Sequence, residues 1–177
     1  MSHDHWDHLD YPTITQLSNK DRQVITPLGI GSHLEYWGYL SENIHEVVWQ
    51  TSFHADSELT VYILPTRHYS GRLFDKNKTL WAAFALQTPQ HKIFFREGSG
   101  YDPHFKEIGD ALGEFDLVIL DRSQYDSRWL FIHMIPEEAV QPADDLHTKI
   151  LLLCILVNFR YQGIHGMSLL LVLQRQD

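Results

Sequence analysis

The sequence is short of cysteine, of cations and of long apolar runs, and each shortage removes a class of protein. One cysteine, Cys154, stands among 177 residues. No internal disulfide can form, and a reducing compartment is the expectation. The longest apolar run, Ile150–Val157, falls far short of the ~20 residues a helix needs to cross a bilayer, which excludes a transmembrane segment. No apolar stretch follows Met1, as a secretory signal requires; Ser2-His3-Asp4-His5 comes instead, so a cytoplasmic location is expected. Lys and Arg number 14 against 23 Asp and Glu, for a net charge of −9, and the cations are scattered. A surface that tracks phosphates needs a basic patch, so nucleic acid is excluded as a partner. Repeats and low-complexity linkers are absent as well. The 44% apolar composition suffices for one domain with a core. Oligomeric state is not legible.

Histidine, by contrast, is concentrated where it can do chemistry. His3, His5, Asp7 and His8 fall in the pattern H-x-H-x-D-H. Imidazole and carboxylate are the usual nitrogen and oxygen ligands of zinc, and manganese or iron accepts the same donors. On a tight loop after a strand, His3 and His5 can face one metal, and Asp7 and His8 a second beside it. A solvated tail or an expression tag is the competing reading. A tag is a run of histidines without placed aspartates, however, and this segment continues into ordinary globular sequence.

Further along, the pattern alternates. Asp10 before Tyr11-Pro12-Thr13 marks a helix start. Strands are expected at Gln23–Thr26, Glu46–Thr51, Leu59–Leu64, Phe115–Leu120 and from Lys149, and a strand pair at Leu80–Leu86 and Lys92–Phe95 joined by Thr88-Pro89-Gln90. Helices are expected at Ser32–Tyr39, at Pro103–Leu112 closed by Gly113, and at Pro136–Leu146, which Pro142 would interrupt. Alternating strands and helices argue an α/β fold.

The N-terminal motif, together with Pro27-Leu28-Gly29-Ile30-Gly31-Ser32-His33-Leu34-Glu35, Leu64-Pro65-Thr66-Arg67-His68-Tyr69-Ser70-Gly71-Arg72, Thr79-Leu80-Trp81 and Pro136-Glu137-Glu138-Ala139-Val140, occurs in an order that resembles the metallo-β-lactamase superfamily. The branch it resembles holds N-acyl-phosphatidylethanolamine-hydrolysing phospholipase D and the bacterial lactonase-like hydrolases. The resemblance implies an αββα sandwich with its metals at one edge of the two sheets. It implies a metal-dependent hydrolase of a phosphodiester, lactone or related ester bond, with metal-bound hydroxide as nucleophile and a small-molecule or lipid-like ester as substrate. One or two zinc ions are implied, Mn2+ or Fe2+ being the alternatives. His68 becomes the third ligand of the first metal beside His3 and His5; Asp7 and His8 belong to the second. Two catalytic roles follow: Asp7 could orient the hydroxide, and His133 could contact a phosphate or leaving group. A loop histidine that caps the next helix is the alternative for His133. Trp6, Tyr11, Trp37, Tyr39 and Trp81 either wall a cleft or fill the core, and Arg67, Arg72 and Arg128 are candidate anion contacts.

Three departures from that pattern shape the expectation. Gly98 stands where the family has a metal-bridging aspartate, and Glu97, one residue off on a strand end, is expected to point the other way. The family carries strands before the motif, so the first sheet is expected to be incomplete. After residue 152 the family's closing motifs give way to Leu153-Cys154-Ile155-Leu156; synonymous codons in a shifted frame permit those motifs, so a frameshift near Leu152 is expected. Residues 1–152 then form a partial domain and 153–177 a non-family tail. An impaired hydrolase is the leading expectation. A metal-binding remnant without effective chemistry and a non-catalytic interaction module are the alternatives.

Overall fold

Strand alternation sorts the apolar side chains into layers. A computed structural model describes residues 1–17, 20–121, 134, 138–155 and 169–174. A seven-stranded sheet runs in the order β11-β10-β9-β8-β7-β4-β3. Its members are β3 (Thr51–His54), β4 (Thr60–Leu64), β7 (Ala83–Gln87), β8 (Lys92–Arg96), β9 (Leu117–Asp121), β10 (Ile150–Ile155) and β11 (Leu169–Gln174). β3, β4, β7 and β8 are antiparallel neighbours, β9 and β10 join in parallel, and β11 returns antiparallel on β10. A parallel pair, β1 (Val24–Pro27) and β2 (Ile44–Val47), forms the other sheet of the sandwich. A short hairpin, β5 (Gly71–Arg72) and β6 (Asp75–Lys76), stands apart from both.

Period-two alternation faces each sheet both ways. On one side of the large sheet, Leu64, Ala83, Ala85, Phe94, Val118, Leu120, Leu151 and Leu153 join Phe105 and Ile108 of α3 (His104–Leu112) and Leu146 beyond α4 (Gln141–Asp145). Phe94, Phe105 and Phe115 are fully buried and meet edge to face; burying one such ring contributes roughly 1.5–3 kcal/mol. On the other side, Val61, Ile63 and Phe84 pack against Ile25 and Val47 of the small sheet. That sheet turns Val24 and Ile44 outward, onto Leu9, Ile14 and Ile30 and onto Leu34 of α2 (Gly31–Tyr36). Ile14 belongs to α1 (Tyr11–Gln16). Helix, sheet, sheet, helix is the layer order the family resemblance implies. Among the described residues, the first sheet has two strands against seven.

Local chemistry explains most element ends. The Asp10 carboxylate accepts from Thr13 N at 2.9 Å and caps α1, with Pro12 in the first turn. Gly113 closes α3 at φ 75. Two expectations need correction. The strand expected over Glu46–Thr51 is two strands, β2 and β3, because Gln50 takes φ 60 and turns the chain between them. The helix expected over Pro136–Leu146 is α4, Gln141–Asp145; residues 135–137 lie outside the described set. Pro142 sits in its first turn, where a missing N–H costs nothing, so it starts the helix rather than interrupting it. No helix among the described residues is long and apolar enough to cross a membrane.

Candidate metal centre

Backbone pairing fixes where the histidine motif begins. Met1 N donates to Ile25 O of the small sheet, and Ser2 O accepts from Ala82 N just before β7. The N-terminal segment is thus laid between the two sheets, and its next residues emerge at their common edge. His5 O then accepts from both His8 N and Leu9 N, at 3.0 and 2.8 Å, which turns the chain tightly, and Leu9 is fully buried as the anchor.

A second loop meets the first. β4 ends at Leu64, and Pro65 to Ser70 carry His68 across the edge. Trp81 Nε1 holds Thr66 O at 2.8 Å, and Ser99 Oγ accepts from Arg67 N at 3.1 Å. The buried Asp4 carboxylate accepts from Gly71 N at 2.7 Å, while Arg72 Nη1 donates to Asp4 O and Leu9 O at 2.9 Å each. These bonds lock the motif loop to the His68 loop; neither Asp4 nor this role of Arg72 was foreseen.

Three imidazoles converge there. His3 Nε2 lies 3.0 Å from His5 Nδ1 and 3.1 Å from His68 Nε2. Adjacent ligands of a four-coordinate zinc with bonds of about 2.0–2.1 Å stand about 3.3 Å apart, so both spacings fit one cation after a small rotation. His3 is 1% exposed. His3 Nδ1 is 3.1 Å from Ser2 Oγ, whose hydroxyl donates to Glu97 Oε2 at 2.6 Å. A ring nitrogen tied in this way leaves the other one directed at a cation. His5 Nε2 is buried with no hydrogen-bond partner among the described residues, an arrangement that water or an ion normally relieves. Burial lowers the pKa of His5 and the charge of His8 lowers it further, against the pull of Asp4 and Asp7. The ring therefore stays neutral near pH 7, the form in which imidazole binds metal. Burial, donor chemistry and spacing all fit a divalent cation at His3, His5 and His68.

His8 and Glu97 form a second group beside it. His8 Nδ1 donates to Glu97 Oε2 at 2.9 Å, and the donor atoms of His3, His8 and Glu97 fall within 4.8 Å of one another. Burial pushes the Glu97 carboxyl up, but the hydrogen bonds from His8 and Ser2 and the charges of His8 and the chain's amino group outweigh it. The net shift is downward, so Glu97 is ionised. The expectation that Glu97 points away is overturned. β8 ends at Arg96, and Gly98 at φ +47 breaks the strand alternation on which that expectation rested. Asp7 is not brought into either group: its carboxylate is 56% exposed, 3.8 Å from His8 Nε2. His133 and Arg128 lie outside the described residues.

The aromatics divide. Tyr39 is buried in the helix layer, and Trp81 serves as the prop for Thr66. Trp6 and Tyr11 are exposed, with the Arg72 guanidinium 3.8 Å from the Trp6 ring centre and Trp37 5.3 Å from Tyr11. The Tyr69 ring stands edge-on to His5 at 4.5 Å. Arg67 pairs with Asp102 at 3.3 Å.

Known proteins share this frame. Residues 1–154 match the beta-lactamase superfamily domain. An uncharacterised protein of Mycobacterium tuberculosis is 44% identical over 142 residues, 80% of this chain and 38% of that protein. The N-acyl-phosphatidylethanolamine-hydrolyzing phospholipase D 1 of Caenorhabditis elegans is 32% identical over 153 residues, 80% of this chain and 43% of the enzyme. A metallo hydrolase of Ignicoccus hospitalis has the same fold, with a TM-score of 0.67 at 16% identity over 86% of this chain and 60% of that one. The chain belongs to the metallo-β-lactamase superfamily. It spans less than half the length of the mycobacterial and nematode relatives.

Proposed function

We propose that the chain is the metal-binding part of a hydrolase that cleaves a phosphodiester, lactone or related ester bond in a small-molecule or lipid-like substrate. The observation that carries this reading is the convergence of His3, His5 and His68, from loops 65 residues apart, with nitrogens at 3.0 and 3.1 Å. Family membership and the likeness to a nematode phospholipase D support it. Zinc suits three imidazoles best, and manganese or iron can replace it. When bound, such a cation supplies Lewis-acid activation of water and of the scissile ester.

The chain's own residues do the rest. The Ser2–Glu97 relay holds the orientation of His3. Asp7, exposed and 3.8 Å from His8 Nε2, keeps the role the resemblance gives it, orienting the hydroxide. Trp6 and Arg72 offer an apolar face and a cation at the rim, a pairing suited to an ester with an anionic head. His133 keeps the role the resemblance gives it, a contact to the phosphate or leaving group.

The test is metal-dependent turnover of bis(p-nitrophenyl) phosphate and of a simple lactone. Turnover lost on chelation, restored by zinc and absent in His5→Ala supports the reading. A second reading, a metal-binding domain without turnover, is favoured by Gly98, which brings no carboxylate to the centre. A folded, zinc-loaded chain that turns over neither substrate would establish it. A folded chain that binds no zinc would leave the non-catalytic interaction module.

A further inference from the structure

We infer that Ser2 and Glu97 are positioning residues that fix the ring proton of His3 on Nδ1 and so hold its Nε2 as a bare donor toward His5 and His68. Glu97 acts through this relay and not as a ligand. The inference rests on the three-histidine site and deepens it, adding two residues outside the H-x-H-x-D-H pattern.

Proton counting is the starting point. A serine hydroxyl has one proton to give. Ser2 Oγ gives it to Glu97 Oε2, at 2.6 Å. The same oxygen lies 3.1 Å from His3 Nδ1 and has only lone pairs left for that contact. In the neutral ring, His3 Nδ1 must therefore carry the proton and donate it, which leaves Nε2 bare. Nε2 is the atom that lies 3.0 Å from His5 Nδ1 and 3.1 Å from His68 Nε2. Glu97 Oε2 also accepts from His8 Nδ1, at 2.9 Å. One carboxylate oxygen thus sets the proton positions of two imidazoles.

Backbone geometry brings the relay together. Ser2 O accepts from Ala82 N at 2.9 Å, which pins Ser2 beside the start of β7. β8 ends at Arg96, and Gly98 at φ +47 turns the chain so that Glu97 reaches Ser2, 95 residues away in sequence. Ser2 and His3 are buried, and a hydrogen bond shielded from water is electrostatically stronger than one at the surface. An unconstrained neutral imidazole carries its proton on either nitrogen. A ring held in one tautomer and one orientation receives a cation without first moving its proton, and losing such a partner lowers metal affinity about 10- to 100-fold.

Long-range proton–nitrogen correlation NMR on the isotope-labelled, metal-free chain reads each histidine tautomer, and the His3 signals are identified by their loss in His3→Ala. Titration calorimetry with zinc chloride reads affinity and stoichiometry, and circular dichroism checks that each chain is folded. Wild type is compared with Ser2→Ala, which removes the middle of the relay, and with Glu97→Gln. The glutamine oxygen still accepts from Ser2 and His8, but the charge a ligand would supply is gone. The expected result is a His3 proton on Nδ1 in wild type and Glu97→Gln, and on both nitrogens in exchange in Ser2→Ala. Zinc affinity falls at least tenfold in Ser2→Ala and stays within tenfold of wild type in Glu97→Gln. A wild-type His3 protonated on Nε2 overturns the proposal, as does a Ser2→Ala chain with wild-type tautomer and affinity. A Glu97→Gln chain that loses a zinc equivalent, or binds more than tenfold more weakly, makes Glu97 a ligand and overturns it too. Should Ser2→Ala fail to fold, the wild-type tautomer and the Glu97→Gln affinity still decide. The expected tautomer in a chain that binds no zinc overturns the three-histidine site and the relay's purpose with it; the other tautomer in a chain that binds zinc overturns the relay alone.

Discussion

The His68 imidazole lies directly over Gly98, 3.1 Å from where a Cβ on that glycine would stand, and Gly98 holds φ +47. The ring is a candidate ligand, and a side chain at position 98 would require it to give by a few tenths of an ångström. Restoring the family's aspartate by Gly98→Asp is therefore expected to damage the centre. A β-carbon at this φ costs on the order of 1–2 kcal/mol, and the ring must move besides. The expected outcome is zinc affinity for the first equivalent at least tenfold weaker, with a lower Tm, read by titration calorimetry and thermal unfolding. Unchanged affinity would mean that His68 is not held by this contact.

Asp4 is buried and accepts from Gly71 N at 2.7 Å, tying the two histidine loops together. Asp4→Ala leaves that amide without its acceptor, which costs about 1–3 kcal/mol. The loops should separate and zinc affinity should fall with stability. Asp4→Asn keeps an acceptor oxygen and should recover most of both. If the alanine variant binds zinc normally, the loops are positioned by other bonds.

Crossing of α3 over α4 depends on Gly109, whose Cβ would lie 1.9 Å from Asp145 O. Gly109→Ala is expected to push α4 away and to destabilise the fold by about 1–3 kcal/mol or more. Zinc stoichiometry should survive, because α3 and α4 lie on the helix-covered side of the large sheet. Denaturant unfolding measures the first effect and elemental analysis the second.

His104, at the start of α3, has its pKa pushed from 6.5 down to about 3 by burial, aided by the charges of Arg96 and Arg67. The folded form thus binds fewer protons than the unfolded form between those values. Stability is full above about pH 6.5 and falls as pH drops toward 3. His104→Phe removes the titrating group and should flatten this part of the profile by an amount on the order of a few kcal/mol. Chemical unfolding at pH 7 and pH 4, wild type against variant, gives the difference. An equal pH dependence in both would assign the acid sensitivity to the carboxylates instead.

Patterns with a local cause were legible in the sequence. The Asp10 cap, the Thr88-Pro89-Gln90 turn, the amphipathic α3 with its Gly113 stop and the apolar β4 and β9 each carry a signal within a few residues, and each lies near its expected place. His3, His5 and His8 were legible because metal donors cluster there by residue type, whereas His68, a lone loop histidine, was reached only through the resemblance of Pro65-Thr66-Arg67-His68 to the family motif. Glu97 was not, because its direction is set by the φ of the next residue rather than by strand alternation. Asp4 was hidden for another reason: its partner, Gly71, is 67 residues away, and no local pattern encodes that contact. The Glu46–Thr51 region misled because the turn at Gln50 is made by a residue with no marked turn preference.

His3 joins both donor sets, so removing it gives the most direct test of the account. Zinc content after exhaustive dialysis and the thermal shift on adding zinc, measured on wild type and His3→Ala, form the decisive experiment. A wild type that retains zinc and gains about 2.7 kcal/mol of stability at a hundredfold excess over Kd, beside a folded variant that retains none and gains nothing, is the predicted result. A folded His3→Ala chain that holds zinc as tightly as wild type would contradict the account.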